Sequence, residues 1–301
     1  MADVDQAALQ LGAEMMKITV QTGNPSLLKE ALASDTQSIR FGSEFCMYAL
    51  PSGDGVEKAY NLTRDAGKEF TYVTPRLAEG AMDSIKEHLV LLDDLGEATV
   101  VANDLGTIHA MRGLSALKLK LGRQLVYTPS RCPWNQITEH TVNIFTKRKV
   151  SQIFYQTALN YVPTIEFYKG LGAVGADVDW IPDLFPNLNF LIKNKFPVSV
   201  HMHSIPVAIT RKCHMARFLG EEDLDRCSRP CYTKAYSMDN EFLGIDMVLE
   251  GNTVYKVTEP DRKTAQQLAN RGVSELVLTM SPISGVRSKE QIESLIQRIQ
   301  V

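Results

Sequence analysis

Cys213, Cys227 and Cys231 follow one another with thirteen and then three residues between them, and Cys46 stands far upstream. Four thiolates gathered at one place hold either a zinc ion or an iron–sulfur cubane, in which each iron takes one thiolate. Structural zinc sites mostly use paired Cys-x2–4-Cys elements. This chain has one such short pair and two distant partners, so the spacing favours an enzyme-type cluster over a zinc ribbon. Buried small hydrophobes are the metal-free alternative, because free cysteine is among the most buried residue types. A fifth cysteine, Cys132 in SRCPWN, is left outside the set. An odd count without a secretory leader argues against a disulfide framework.

Other side chains are placed to act beside such a site. His201 and His203 lie two apart on an expected strand and so share a face, from which they can position or protonate a substrate. Packed, hydrogen-bonded histidines are the alternative. Arg211, Arg217, Arg226 and Arg229 surround the cysteines, where they offset a cluster's negative charge or grip a carboxylate. Arg211 and Arg217 are the expected substrate-binding pair. His214, next to Cys213, is a candidate zinc ligand. Asn103, Asp104 and Asn160 end expected strands, a place from which polar groups reach an active-site mouth or cap the next helix. Asp104 and Asn160 are taken as catalytic candidates. Ser281 and Ser284 follow the last strand, where barrels often bind phosphate.

The elements that must carry these residues alternate. Strands are expected at Lys17–Gln21, Gln37–Phe41, Glu69–Thr74, Ala98–Ala102, Gln124–Thr128, Gln152–Thr157, Asp177–Ile181, Val198–Met202 and Glu275–Thr279. Gln37–Phe41 and Asp177–Ile181 are the weaker of these, because polar residues interrupt them. Helical periodicity fills the intervals, including Gly106–Leu119, Thr164–Gly170 and Lys289–Gln300. Strand and helix alternating at this length fit a single (β/α)8 TIM-barrel-like domain over residues 1–301. Insertions interrupt it near 124–151 and 231–259. The second is expected to hold a hairpin, Met247–Leu249 and Thr253–Val257, around Gly251-Asn252. Gly170, Gly172 and Gly175 match G-x-G-x-x-G by letter, but a helix precedes them and a strand follows. They therefore end a helix and form no dinucleotide fingerprint.

Composition narrows the function classes. The chain has 301 residues, 44% of them apolar, with 32 basic and 35 acidic residues for a net charge of −3. That balance gives no global attraction to phosphate backbones, so nucleic acid is not expected as a partner. No apolar run is long enough to span a membrane, and the acidic amphipathic start lacks signal-peptide features, so a cytoplasmic protein is expected. Serine-hydrolase elbow, zincin and P-loop motifs are missing.

The stretch VSVHMHSIPVAITRKCHMARFLGEEDLDRCSRPC, Val198 to Cys231, resembles the signature of the peptidase U32 family: a strand, a polar turn at Ser204–Pro206, a helix at Ala208–Arg211 leading to Arg-x-Cys, then Cys-x3-Cys. SIRFGSEFC before Cys46, ANDLGTIHAM, QTALN at Gln156–Asn160 and ELVLTMSP are similar to the short V-type branch found in oxygen-independent ubiquinone biosynthesis. The resemblance implies a barrel that binds one [4Fe–4S] cluster through Cys46, Cys213, Cys227 and Cys231. It implies ring hydroxylation without O₂, a prephenate-like oxygen donor, and a second U32-family chain as heterodimer partner. Other relatives hydroxylate RNA bases or are described as collagenase-like peptidases. A non-catalytic, cluster-bearing subunit is the alternative role. Residues 124–151, with the basic run Lys147–Lys149, have no good counterpart in the V-type branch.

Overall fold

A computed structural model describes residues 16–129, 143, 156–181, 185–241 and 245–300. Strand and helix alternate from the start: β1 (Lys17–Thr22), α1 (Leu28–Ala33), β2 (Ser38–Gly42), α2 (Gly53–Asp65), β3 (Glu69–Val73), α3 (Met82–Leu95), β4 (Ala98–Ala102) and α4 (Leu105–Ala110). Then come β5 (Leu117–Leu121), α5 (Val162–Gly170), β6 (Ala173–Asp179), α6 (Phe185–Lys193) and β7 (Val198–His201). After an excursion through β8 (Ser204–Ile209), α7 (His214–Phe218), β9 (Tyr236–Asn240), β10 (Ile245–Glu250) and β11 (Thr253–Val257), the barrel resumes with α8 (Arg262–Ala269), β12 (Glu275–Thr279) and α9 (Lys289–Ile299). Eight strands close in the order β1-β12-β7-β6-β5-β4-β3-β2, every pairing parallel. This is the expected (β/α)8 barrel.

Residue alternation decides which side chains fill it. In β2, Ile39 and Phe41 join the apolar layer under the helices while Arg40 points inward. In α9, Ile292, Leu295, Ile296 and Ile299 recur at helical spacing and are buried, and Ser288 with Gln291 closes a capping box at its start. The interior is polar. Arg40 donates to Asp177 at 2.5 Å and Glu275 at 2.7 Å, and Lys120 reaches Glu275 at 2.6 Å. Ser199 and Thr19 also donate to Glu275. Buried charges survive only when paired in this way.

Several expectations are corrected. The strand expected at Gln124–Thr128 is a turn, where the Leu125 and Val126 amides both donate to Gly122 O. The barrel strand is Leu117–Leu121, whose first residues helical periodicity assigns to the end of Gly106–Leu119. Its leucines alternate with Lys118 and Lys120, a period of two that suits a strand. Ser204–Pro206, expected as a turn, and Ala208 and Ile209, expected to begin a helix, lie in β8 instead, and Thr210 and Arg211 follow its end. Pro206 lacks an amide hydrogen, and the β8–β11 register slips beside it, between Val254 and Tyr255. The expected hairpin is present as β10 and β11 with Gly251 at φ +62°, but it belongs to a four-stranded antiparallel sheet, β8-β11-β10-β9. Most of Gln152–Thr157 and of the 124–151 insertion lie outside the described residues. Gly170 ends α5 and Gly172 has φ +91° before β6, as the glycine pattern implied. Among the described residues no helix is long and apolar enough to cross a membrane.

Gly42 ends β2 with φ +137°, and a Cβ there would stand 2.2 Å from Val73 O. Gly67 has φ +70° with open space around it. Gly42→Ala is expected to cost at least about 3 kcal/mol and Gly67→Ala about 1 kcal/mol. Urea unfolding of the two variants checks this. Equal losses would show that backbone angle alone matters and that the close approach to β3 does not.

Candidate functional site

The loops that follow the barrel strands bring four thiols together. Cys46 lies just beyond β2, where the Ser43 amide donates to Val73 O and Ser43 Oγ donates to Cys46 O at 2.6 Å. Cys213 is the N-cap of α7, and its sulfur accepts from the Ala216 amide at 3.4 Å. Cys227 follows a short helical turn, and its sulfur accepts from the Arg229 amide at 3.4 Å. Arg229 holds a left-handed backbone at φ +56°. Cys231 sits in the next turn, packed against Gly251, where even a Cβ would come within 3.7 Å of its sulfur.

Cross-links fix these segments to one another. Asn252, at the β10–β11 turn, donates to Phe45 O at 2.9 Å and Thr210 O at 2.8 Å, tying the Cys46 loop to the Cys213 loop. Arg229 donates to Leu50 O at 3.0 Å, and Asn24 donates to Tyr232 O at 3.0 Å. All four thiols, and no other cysteine among the described residues, line one small cavity. Burial pushes the Cys46 and Cys227 thiols up and carries Cys231 to about 12, helped by Glu250 and the other three sulfurs. The sulfurs therefore feel one another's charge, and their ionised forms require a cation between them.

Among the described residues no three His, Cys, Asp or Glu side chains are arranged to hold one metal ion. A cubane spreads its four thiolates over four irons, and amide-to-sulfur hydrogen bonds of the kind seen at Cys213 and Cys227 tune such clusters.

A larger pocket opens beside this cavity and shares Cys46, Ala49, Cys231 and Gly251 with it. Its floor is an ion pair. Arg123 grips both oxygens of Glu44 at 2.7 Å, and its remaining nitrogen donates to Asp179 at 2.7 Å and Ser204 O at 2.9 Å. Burial alone would raise Glu44, but the Arg123 guanidinium outweighs it and holds that carboxyl below its usual range. Glu250 has no such ion pair among the described residues, and only the charge of Arg287 acts on it. Burial takes it up to about 7, although it accepts the Ile283 amide at 2.8 Å.

The other expected site residues fall elsewhere. His201 is buried in the barrel with Nε2 3.2 Å from Asp177, and burial together with Arg123 lowers its pKa. His203 is also buried, but the charge acting on it is Arg298 of α9, so the two histidines do not share partners. Asp104 caps α4 through the Thr107 amide at 2.7 Å and also accepts the Leu77 amide at 2.9 Å. Asn103 buttresses Gly122 by accepting the Gln124 amide and donating to Thr74 O. Asn160 closes a turn on Thr157. Arg211 and Arg217 are exposed. None of His201, His203, Asp104, Asn160, Arg211 and Arg217 lines either cavity. Arg226 is exposed beside Asp223. Cys132 lies outside the described residues. Glu44, Arg123, Gln21 and Glu250 were missed. Glu44 stands two residues before Cys46, a signal available in SEFC, whereas Arg123 was hidden by the misplaced fifth strand.

Fold and site together define a closed parallel barrel with a thiol-lined cavity at the C-terminal mouth of its strands. No family model and no curated protein match the chain. Among solved structures, a U32 peptidase is 15% identical over 89% of this chain and 93% of its own, with a TM-score of 0.45. KGPDC from Streptococcus mutans is 11% identical over 95% and 97%, with a TM-score of 0.49. Thiamine phosphate pyrophosphorylase from Pyrococcus furiosus is 11% identical over 95% and 98%, with a TM-score of 0.44. At these values the likenesses carry no functional argument, and the barrel rests on its own strand pairing.

Burial, with Arg298 adding to it, lowers His203 from 6.5 to about 4. A histidine depressed in this way leaves the folded state short of a proton between those two values. Stability therefore falls as pH drops from about 6.5 toward about 4 and levels off below that, by on the order of 3 kcal/mol at most. His203→Gln is expected to flatten this part of the profile. Urea midpoints at about pH 7, 5.5 and 4 read it, and an unchanged slope would assign the titration to another group.

Proposed function

We propose that this chain is a U32-like iron–sulfur barrel that takes part in oxygen-independent hydroxylation of a small aromatic or related substrate. One observation carries the reading. Cysteines from separate segments line one cavity, and two of them, Cys46 and Cys231, also wall the larger pocket beside it. When bound by Cys46, Cys213, Cys227 and Cys231, a [4Fe–4S] cluster supplies electron transfer at that wall.

The chain's own residues set the conditions. Amides of Ala216 and Arg229 point at two of the sulfurs. The Arg123–Glu44 pair fixes the loop that presents Phe45 and Cys46. Phe45, Tyr232 and Tyr255 give the pocket walls for a flat substrate. Arg211 and Arg217, expected to grip a carboxylate donor, lie outside both cavities, so the reading assigns no site to a prephenate-like donor.

A second U32-like chain as partner belongs to the same reading. Phe218, on the helix that Cys213 caps, is 76% exposed, and burial against another subunit suits an apolar ring there. The same observation favours a second role, a non-catalytic subunit that carries the cluster for a related catalytic chain. Substrate turnover by the lone chain would set that role aside.

Anaerobic purification with iron, sulfide and zinc analysis tests the proposal. About four irons and four sulfides per chain are expected. Cys→Ala at Cys46, Cys213, Cys227 or Cys231 is expected to lower iron content each time, and Cys132→Ala to leave it unchanged. Stoichiometric zinc, or a folded protein free of metal, would end the redox reading. Unchanged iron in one variant would remove that cysteine from the ligand set.

A further inference from the structure

The pocket beside the thiol cavity has a chemistry of its own. Arg123 is the one cation among the described residues that line it, and every nitrogen of its guanidinium group is already spent on Glu44, Asp179 and Ser204 O. The pocket also presents Glu250, so its carboxyls outnumber its cations. Arg229 and Arg287, whose charges reach Tyr232 and Glu250, are bonded to Leu50 O and Thr233 O and do not line the pocket.

The barrel's customary anion position is filled by the chain itself. In this fold, phosphate commonly binds on the loop after the last strands. Here that loop runs Met280–Val286. Its Ile283 amide is taken by the Glu250 carboxylate, and its Ser281 and Val286 amides are taken by Ser284 Oγ at 3.2 and 3.3 Å. An incoming anion would have to displace the Glu250 carboxyl, and Arg123, the one cation among the described residues that line the pocket, is already engaged.

The pocket's lining holds a buried acceptor. Gln21 is 8% exposed and lines the pocket. Its Nε2 must face Glu44, because an ionised carboxylate only accepts, and it does so at 2.9 Å. Its Oε1 is thereby turned away from Glu44 and has no hydrogen-bond partner among the described residues. A buried, unpaired acceptor calls for a donor from the ligand. Phe45 and Tyr255 meet edge to face at 5.7 Å and give that ligand an aromatic wall.

We infer that the mouth pocket binds a flat ligand that carries N–H donors and no negative charge, such as an aryl amidine or amine, and rejects phosphate and carboxylate ligands. This rests on the reading of the pocket as the substrate site beside the cluster. The donors engage Gln21 Oε1 and the Glu250 carboxyl, and the ring lies against Phe45 and Tyr255.

Benzamidine and benzoate share a shape and differ in charge, so they separate the alternatives. Anaerobic titration calorimetry of the full chain, with iron counted on the same sample, is expected to show saturable benzamidine binding. That binding should be at least roughly tenfold tighter than benzoate, with no saturable binding of inorganic phosphate. Glu250→Gln and Gln21→Leu, each checked for a native melting transition, are expected to weaken benzamidine by roughly tenfold or more. Benzoate or phosphate binding as tightly as benzamidine would overturn the inference. So would a lack of saturable benzamidine binding to the wild-type chain, or unchanged affinity in the folded variants. The two readings fail separately. A benzamidine preference without iron removes the cluster and keeps the pocket, whereas iron with a benzoate preference removes the pocket assignment and keeps the cluster.

Discussion

The Arg123 guanidinium, buried among Glu44, Asp179 and Ser204 O, is the interaction on which the mouth of this barrel depends. It leaves the end of β5, reaches the loop after β2, and meets β6 and the start of β8. A charge buried that deeply is costly unless its nitrogens are matched, and here each one is. An apolar replacement of similar volume can be as stable in other proteins, so the pair is better understood through the geometry it imposes. Glu44 is held in both carboxylate oxygens, Phe45 lies 5.2 Å from the same guanidinium, and Cys46 follows directly. The position of the first thiol is thus set from the barrel's interior.

The other three thiols are set from outside it. The antiparallel sheet β8-β11-β10-β9 rises from the barrel after β7, and Cys213, Cys227 and Cys231 occupy the long connection between β8 and β9. That connection has little apolar core of its own, chiefly Met215 and Ala216 with the cysteines. Its shape comes from polar ties: Asn252 to Phe45 O and Thr210 O, Arg229 to Leu50 O, and Asn24 to Tyr232 O. Each tie uses a backbone carbonyl of another segment.

The sequence displayed the barrel clearly and its contents poorly. Apolar alternation located the strands around Val20, Ile39, Val100, Val200 and Leu276, because residues under the helices must be apolar whatever the interior holds. The interior positions broke that pattern. Arg40, Asp177 and Asp179 weakened the strand reading where they should have signalled an inward polar face, since a charge network across a barrel is invisible until the strands are ordered. Lys118 and Lys120 hid β5 in the same way, and with it Arg123. The cysteine set was legible because spacing and residue type suffice to suggest it. The histidines were not, because a two-residue offset fixes a shared face only while the strand continues, and β7 ends at His201.

The two cavities divide the thiols into unequal pairs. Cys46 and Cys231 stand in the wall common to both, whereas Cys213 and Cys227 line the thiol cavity alone. Anything seated in the mouth pocket therefore meets the first pair and is screened from the second. The first pair is also the one whose surroundings carry the pocket's carboxyls, with Glu44 two residues from Cys46 and Glu250 raising the Cys231 thiol. Charge placed between the four sulfurs is felt in the pocket through that wall, and ligand charge in the pocket is felt by the sulfurs in return. Such reciprocity follows from proximity alone and needs no moving part. It makes the carboxyl lining of the pocket and the thiols of the cavity one electrostatic unit.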